Sequence, residues 1–69
     1  MYLGKNIRHL RKQKKLSRAK LAEILGVNPR MITTYETGNS EPRINKLIVL
    51  SDTLGVTIDQ LIREDLSDN

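Results

Sequence analysis

Apolar residues recur along this chain at intervals of three and four positions, and no segment alternates apolar with polar residues as a strand does. Leu3, Ile7 and Leu10 share a stripe with Lys14, which predicts a first helix over about residues 3–14 with basic side chains on its other faces. A later apolar stripe predicts another helix and consists of Ile44, Leu47, Ile48, Leu50 and Leu54. An all-helical fold is therefore expected.

Residues that favour helix ends divide the middle of the chain. Ser17 is a good N-cap, and Gly26 can end the helix that follows it. The apolar face of this second helix would be formed by Leu21, Ala22, Ile24 and Leu25. Asn28 followed by Pro29 predicts the start of a third helix, because asparagine caps helices and proline suits the first helical position.

The third helix is predicted to reach about Glu36, and Gly38 to close it. A loop and the fourth helix follow, and Thr57 with Gln60 then predicts a capping box. This capping box would open a short fifth helix that carries Ile58, Leu61 and Ile62. Residues after about Asp65 are acidic and polar, and we expect them to fray.

The 69 residues allow one small domain, which we expect to occupy residues 1–69 with an ordered core over about residues 2–65. Without cysteine there is no disulfide or thiolate metal site, and the single histidine, His9, cannot form a zinc site alone and is expected to be exposed. No paired carboxylates or nucleophile with a base occur at a usable spacing, so the sequence argues against an enzyme and predicts no cofactor and no metal. The apolar runs are too short for a membrane span, which favours a cytoplasmic location.

The formal net charge of +4 is distributed unevenly. Residues 1–20 hold eight basic side chains and no acid, whereas the chain from Asp52 onward holds five acids and one base, Arg63. The first part therefore suits a polyanion such as DNA, although a lysine-rich surface also aids solubility. The lysines interpreted as solvated residues with a long-range steering effect are Lys12, Lys14, Lys15 and Lys46.

The segment from Arg18 to Glu36 combines a helix, a turn of about three residues and a capped second helix. Ala22 supplies a small side chain for a close crossing of the two helices, and Gly26 permits a positive φ at the turn. The shared core is predicted to contain Leu21, Leu25, Val27, Ile32 and Tyr35. An ordinary helical hairpin would use the same apolar residues, but the spacing of alanine, glycine, valine and isoleucine favours a DNA-binding helix-turn-helix.

The chain resembles the phage repressor and Cro-like group, also called the XRE family, from about Ile7 to Ile62. The matching residues are Leu10-Arg11, Leu16-Ser17, Leu21-Ala22, Leu25-Gly26-Val27, Ile32, Tyr35-Glu36, Gly38, Pro42 and Leu54-Gly55-Val56. The resemblance implies a compact five-helix, lambda-repressor-like domain whose third helix lies in the major groove of double-stranded DNA.

Four positions depart from the family pattern. Arg18 stands where the family usually has glutamine, and Lys20 stands where a glutamate would complete a capping box. Both add positive charge near a helix N-terminus, which the helix dipole disfavours unless an anion such as a phosphate lies there. Lys15 replaces the glycine that usually follows helix 1, which leaves that turn open to a different closure. Pro29 removes a base contact that the family commonly makes.

The resemblance also implies which residues contact DNA. The face that reads the bases would be Pro29, Arg30, Thr33 and Thr34. Arg30 is the main candidate, because a guanidinium can bond both acceptors of a guanine. Phosphate contacts are expected from Arg11, Ser17, Arg18, Thr37, Asn39 and Arg43. Met31 either packs beneath the helix or touches a base methyl.

Arg11 and Glu36 match a paired position in the family. If partly buried, the pair would hold the third helix at a fixed angle, whereas the alternative is that both side chains are merely exposed. We also expect a homodimer, because one such domain spans little DNA. Its interface is predicted to come from Val56, Ile58, Leu61 and Ile62, some of which must cover the core.

The leading functional hypothesis is a sequence-specific transcription regulator of the repressor type that binds a palindromic operator as a dimer. One alternative is the antitoxin of a toxin-antitoxin pair, which would bind a toxin protein as well as its own operator. Another is a protein-interaction module that has lost DNA binding. The basic first part of the chain and the intact third helix argue against this last alternative.

Overall fold

The computed structural model describes residues 1–67, and within this range the chain forms helices and no strands. The five helices are α1 (Leu3–Gln13), α2 (Arg18–Leu25), α3 (Pro29–Thr37), α4 (Ile44–Leu54) and α5 (Ile58–Arg63). Each lies within a residue or two of the position predicted from periodicity and capping. The expected all-helical, five-helix architecture is confirmed.

Helix α1 lies at the centre of the packing and contacts α3, α4 and α5, while α3 also packs against α2. The buried apolar residues come from all five helices: Leu3, Ile7, Leu10, Leu21, Ala22, Leu25, Ile32, Tyr35, Leu50, Leu54 and Leu61. Because α3 is fixed by two helices on one side, its other side is left to solvent. Burial of this core is the main term that stabilises the arrangement.

Side chains cap the N-termini of α2, α3 and α5 as predicted. Ser17 Oγ accepts a hydrogen bond from the backbone N–H of Lys20 at 3.0 Å, and Asn28 Oδ1 accepts one from Arg30 at 2.8 Å. At α5, Thr57 and Gln60 exchange two bonds of 3.0 and 2.9 Å, which form the capping box. These bonds satisfy backbone donors that have no acceptor within the helix. The helix starts are therefore specified locally.

The turn after α1 closes in the same way as the turn after α2. Gly26 has a φ of +72°, and Val27 N donates to Ala22 O. Lys15 has a φ of +58°, and Leu16 N donates to Arg11 O across the same five-residue interval. The different closure considered for this turn is therefore wrong. The lysine adopts a left-handed conformation in which its Cβ is crowded, at a cost that glycine would avoid.

Three isoleucines on the predicted apolar faces of α2 and α4 are exposed. Ile24 is 40% exposed, Ile44 65% and Ile48 49%. On α4 the buried residues are Leu50 and Leu54, whereas Ile44 and Ile48, one turn apart, lie on a more exposed side of the same helix. Periodicity correctly identified a helix but could not determine which part of the apolar surface is covered by neighbours.

Lys46, predicted to be solvated, is half-buried. Its Nζ donates to the carbonyl oxygen of Leu25 at 2.8 Å, where α2 ends. The last carbonyls of a helix have no intrahelical donor, so a lysine from α4 can satisfy one of them. The bond fastens α4 to α2.

Asn6 has no exposed surface and joins α1 to the end of the described chain. Its Nδ2 donates to the carbonyl oxygens of Leu61 at 2.8 Å and Glu64 at 2.6 Å, and its Oδ1 accepts from Leu66 N at 2.9 Å. Leu66 itself packs against the core. The expected fraying after about residue 65 is therefore wrong for residue 66, while residues 68–69 lie outside the described residues.

A second connection to α1 involves Asp65. The ammonium of Lys5 lies 2.8 Å from Asp65 Oδ2, and the Ser67 hydroxyl donates to the Oδ1 atom at 2.6 Å. These hydrogen bonds, that of Lys5 first, lower the pKa of Asp65 below its ordinary value. Nearby, His9 is half-buried with no hydrogen-bond partner for its Nε2 among the described residues, so its predicted exposure is wrong.

Candidate nucleic-acid interface

The two sides of α3 differ in what they contact. Ile32 and Tyr35 are buried in the core. Met31 packs against the edge of that core, which favours a position beneath the helix over contact with a base methyl. A rotation of about 100° per residue places Arg30 and Thr33 on the opposite side, and both are exposed. The apolar side of α3 is thus fixed in the core, and its polar side faces outward.

The first turn of this outer face is set by its cap. Asn28 is the N-cap, and Pro29 occupies the first helical position, so α3 starts where the sequence predicted. Pro29 and Arg30 are both exposed, and the Arg30 guanidinium has no ion-pair partner within the part of the chain that the structure describes. A cation with no intramolecular partner at the start of the outer face can bind an external acceptor.

Thr34 differs from the other residues assigned to base reading. Its Oγ1 donates to Met31 O at 2.8 Å and accepts from Ser40 Oγ at 3.1 Å. Its backbone oxygen accepts from Asn39 N at 3.0 Å and Ser40 N at 3.3 Å. Thr34 is half-buried and holds the loop after α3, so its hydroxyl is already engaged and the assignment as a base reader is not favoured.

Most of the side chains assigned to phosphate contacts are exposed. Ser17 lies at the start of α2, Thr37 in the last turn of α3 and Asn39 in the loop that follows. Arg43 is the N-cap residue of α4 and makes no side-chain capping bond. These four side chains are therefore accessible to an external anion.

Arg11 is an exception, because its side chain is only 7% exposed. Its Nε donates to Glu36 Oε2 at 2.7 Å, and its Nη1 donates to the carbonyl oxygen of Leu16 at 2.9 Å. A guanidinium used in this way is poorly accessible to a phosphate, so the predicted phosphate contact of Arg11 is corrected to an internal role. The alternative in which Arg11 and Glu36 are both exposed is wrong, and the pair is buried.

Arg18 is a member of the same cluster, which the sequence did not predict. Its Nε lies 3.1 Å from Glu36 Oε1, and its side chain remains 43% exposed while that of Glu36 is 3% exposed. Glu36 thus connects α1, α2 and α3 through two arginines. Arginine in place of the family's usual glutamine was the signal, but only the crossing of the helices shows which carboxylate it meets.

Other classes of site receive no support from the geometry. Within residues 1–67, no group of three or more histidine, aspartate or glutamate side chains is arranged to hold a metal ion. No helix in this range is long and apolar enough to cross a membrane.

Known proteins share both this sequence pattern and this geometry. Residues 7–61 match the family model described as helix-turn-helix. The chain is 35% identical over 65 residues to Repressor protein C2 of Salmonella phage P22, covering 94% of this chain and 30% of the relative. It is 38% identical over 60 residues to YqaE of Bacillus subtilis, an HTH-type transcriptional regulator, covering 87% of this chain and 52% of the relative. The chain thus spans about half the length of these relatives or less.

Solved structures give the same result. The DNA-binding domain of the P22 C2 repressor superposes with a TM-score of 0.87 at 33% identity, covering 100% of this chain and 91% of that one. The N-terminal DNA-binding domain of SinR from Bacillus subtilis gives a TM-score of 0.81 at 31% identity, with 93% and 94% covered. These relatives are named as regulators, a repressor and DNA-binding domains, so the antitoxin alternative is not supported.

Proposed function

The chain belongs to the XRE-type helix-turn-helix family, and from this premise we propose that it binds an operator in double-stranded DNA and represses transcription. The observation that carries the proposal is the contrast between the two sides of α3. Ile32 and Tyr35 anchor one side in the core, while Arg30 and Thr33 are exposed on the other. An α-helix fits the major groove of DNA, where the edges of the base pairs are distinguishable.

In this proposal Arg30 and Thr33 read bases, with Pro29 at the end of the reading face. Arg30 can donate two hydrogen bonds to one guanine, and Thr33 can bond a base edge or lay its methyl against a thymine. The phosphate-binding residues are Ser17, Arg18, Thr37, Asn39 and Arg43. Contacts of this second kind fix the position of the protein on the duplex without reading its sequence.

We further propose that two copies bind one operator, because one recognition helix reads few base pairs. Leu61 has no exposed surface and belongs to the core, which removes it from the predicted interface. Val56, Ile58 and Ile62 are half-buried, and Val56 and Ile62 also pack against the core, so that in this proposal their exposed parts meet a second copy. The two α3 helices would then lie about 34 Å apart, one turn of DNA, and half-site centres about 10 base pairs apart. A DNA target would place the protein in the cytoplasm.

Selection of bound fragments from a random DNA library tests both parts of the proposal. We expect one enriched motif with inverted symmetry and half-sites about 10 base pairs apart. Enrichment of an asymmetric motif would contradict the dimer, and failure to enrich any motif would contradict sequence-specific binding. Placing the selected site before a reporter gene then tests repression directly.

A further inference from the structure

Arg18 is the second cation on a carboxylate that already has one. Arg11 Nε lies 2.7 Å from Glu36 Oε2, and Arg18 Nε lies 3.1 Å from the other oxygen, Oε1. Two arginines and one glutamate leave the cluster with a formal charge of +1. Because the side chain of Arg11 is 7% exposed and that of Arg18 is 43% exposed, the excess charge is presented to solvent by Arg18.

Arg18 pairs with Glu36 through only one of its three guanidinium nitrogens, Nε. Nε donates to Glu36, and within the described residues no acceptor bonds either Nη atom of Arg18. Those two nitrogens carry four of the five N–H groups of the side chain. They lie in one plane and can bond two oxygens of a phosphate at once, which a lysine ammonium cannot do with a fixed geometry.

The position of Arg18 argues against a role in stabilising its own helix. It is the first residue of α2, where the helix dipole disfavours positive charge. A half-exposed ion pair contributes little to the free energy of folding. The pair with Glu36 does restrict the guanidinium, which would otherwise move freely in solvent.

We propose that Glu36 is a positioning residue that holds Arg18 by its Nε and presents both Nη groups to a single phosphate of the DNA backbone. This inference rests on the proposed function. Glu36 belongs to the last turns of α3, the helix that carries the reading face. The phosphate contact of Arg18 would therefore be fixed relative to α3, so that the position of the protein on the DNA backbone and the placement of its recognition helix are coupled.

Arg18 variants test this inference, because the exposed side chain can be changed without removing the buried Arg11–Glu36 pair. Arg18→Gln removes the charge, and Arg18→Lys keeps the charge but lacks the planar guanidinium that bonds Glu36 through Nε and two phosphate oxygens through its Nη groups. Arg63→Gln is the matched control for the salt slope, because Arg63 also pairs through Nε with one carboxylate, Asp59 at 2.9 Å, but belongs to α5, which carries none of the proposed DNA contacts. Thermal unfolding establishes that each variant is folded.

Affinity for the selected operator is then measured at several salt concentrations. Arg18→Gln is expected to reduce the slope of log affinity against log salt by about 1 for each subunit. Arg18→Lys is expected to keep the slope but to bind about five- to tenfold more weakly, because the bidentate geometry is no longer possible. Arg63→Gln is expected to keep the wild-type slope.

Each part of the inference has its own contrary result. Wild-type affinity in Arg18→Lys would overturn the positioning by Glu36, and a wild-type slope in Arg18→Gln would overturn the phosphate contact. If the unmodified protein selected no DNA sequence, the proposed function would fail and this inference with it. That last result is recognisable before any variant is made.

Discussion

Gly4 lets the backbone of α1 approach the carbonyl oxygen of Tyr35 so closely that a Cβ at position 4 would lie only 2.6 Å from it. The carbonyl oxygen of Glu36 would lie at 2.7 Å. Both atoms belong to backbone, which cannot move aside as the end of a side chain can. The contact of α1 with α3 therefore requires glycine at this position.

We expect Gly4→Ala to lower the free energy of unfolding by about 1 to 3 kcal/mol, as overpacking typically does. This is opposite to the effect of helix propensity, which favours alanine over glycine by about 1 kcal/mol. Urea unfolding measures the change, and Gln13→Ala at an exposed site of α1 is the control. Unchanged or increased stability in Gly4→Ala would show that the two helices do not approach so closely.

Asn6→Ala removes the side chain that bonds Leu61, Glu64 and Leu66. Two carbonyls and one N–H are left without this partner, and we expect the free energy of unfolding to fall by about 3 kcal/mol. Asn45→Ala is the control, since Asn45 is exposed and its bond is to its own neighbour, Lys46. Hydrogen exchange of the amide of Leu66 provides a second measurement. Equal losses of stability in the two variants would contradict the tie between α1 and the end of the described chain.

What could be predicted from the sequence depended on how local each signal is. The caps at Ser17, Asn28 and Thr57 were correct, because a side chain and a backbone group within three residues decide them. The contacts of Gly4 and Asn6 were missed, because their partners lie far along the chain. A weak signal existed, since glycine and asparagine are both poor helix formers in the first turns of α1.

In the candidate site, too, features set by local signals could be predicted from the sequence, and features set by distant neighbours could not. The exposed position of Arg30 follows from the register of α3, which its cap determines. The exposure of Ile44 and Ile48 was not predicted, because an apolar stripe does not reveal which neighbours cover it. The pairing of Arg18 with Glu36 depends on a crossing of α2 and α3, so it required the three-dimensional structure.

Lys15→Gly should stabilise the protein by about 0.5 to 1 kcal/mol. The φ of +58° at Lys15 costs a residue with a Cβ about 1 to 2 kcal/mol, and part of that gain is offset by the greater freedom of glycine in the unfolded chain. Lys12→Gly, within α1, should instead destabilise by about 1 kcal/mol. Thermal unfolding of both variants shows whether their stabilities change in opposite directions. Destabilisation by Lys15→Gly would argue against the left-handed turn.

The buried pair of Arg11 and Glu36 should contribute more to orientation than to stability. Arg11→Met leaves the 3% exposed carboxylate of Glu36 with only Arg18, and we expect the free energy of unfolding to fall by about 3 to 5 kcal/mol. Arg11→Met combined with Glu36→Met should recover much of that stability, because no buried charge remains. DNA affinity of the double variant should nevertheless stay low. Full recovery of both properties would contradict an orienting role.

A comparison of Arg30→Ala with Arg43→Ala should separate base recognition from phosphate binding. Arg30→Ala would remove a bidentate bond to guanine. We expect it to weaken the free energy of binding to the selected site by about 1 to 3 kcal/mol and to relax the preference for one base pair in each half-site. Arg43→Ala should weaken binding to all sequences alike and reduce the salt slope by about 1 for each phosphate that the arginine no longer neutralises. Library selection with each variant gives the comparison. An identical motif for Arg30→Ala and the wild type would refute the base contact.

The bonds between the first helix and the end of the described chain have a consequence for synthesis. Tyr2 N donates to Ile62 O at 3.1 Å, and Asn6 finds its partners between Leu61 and Leu66. A chain growing on the ribosome makes α1 first, yet α1 acquires these partners only after α5 has been translated and released from the exit tunnel. We therefore expect cotranslational folding of these helices to be one step that follows the release of α5, and not a helix-by-helix process. A nascent chain whose α5 is still inside the exit tunnel would not bind an operator.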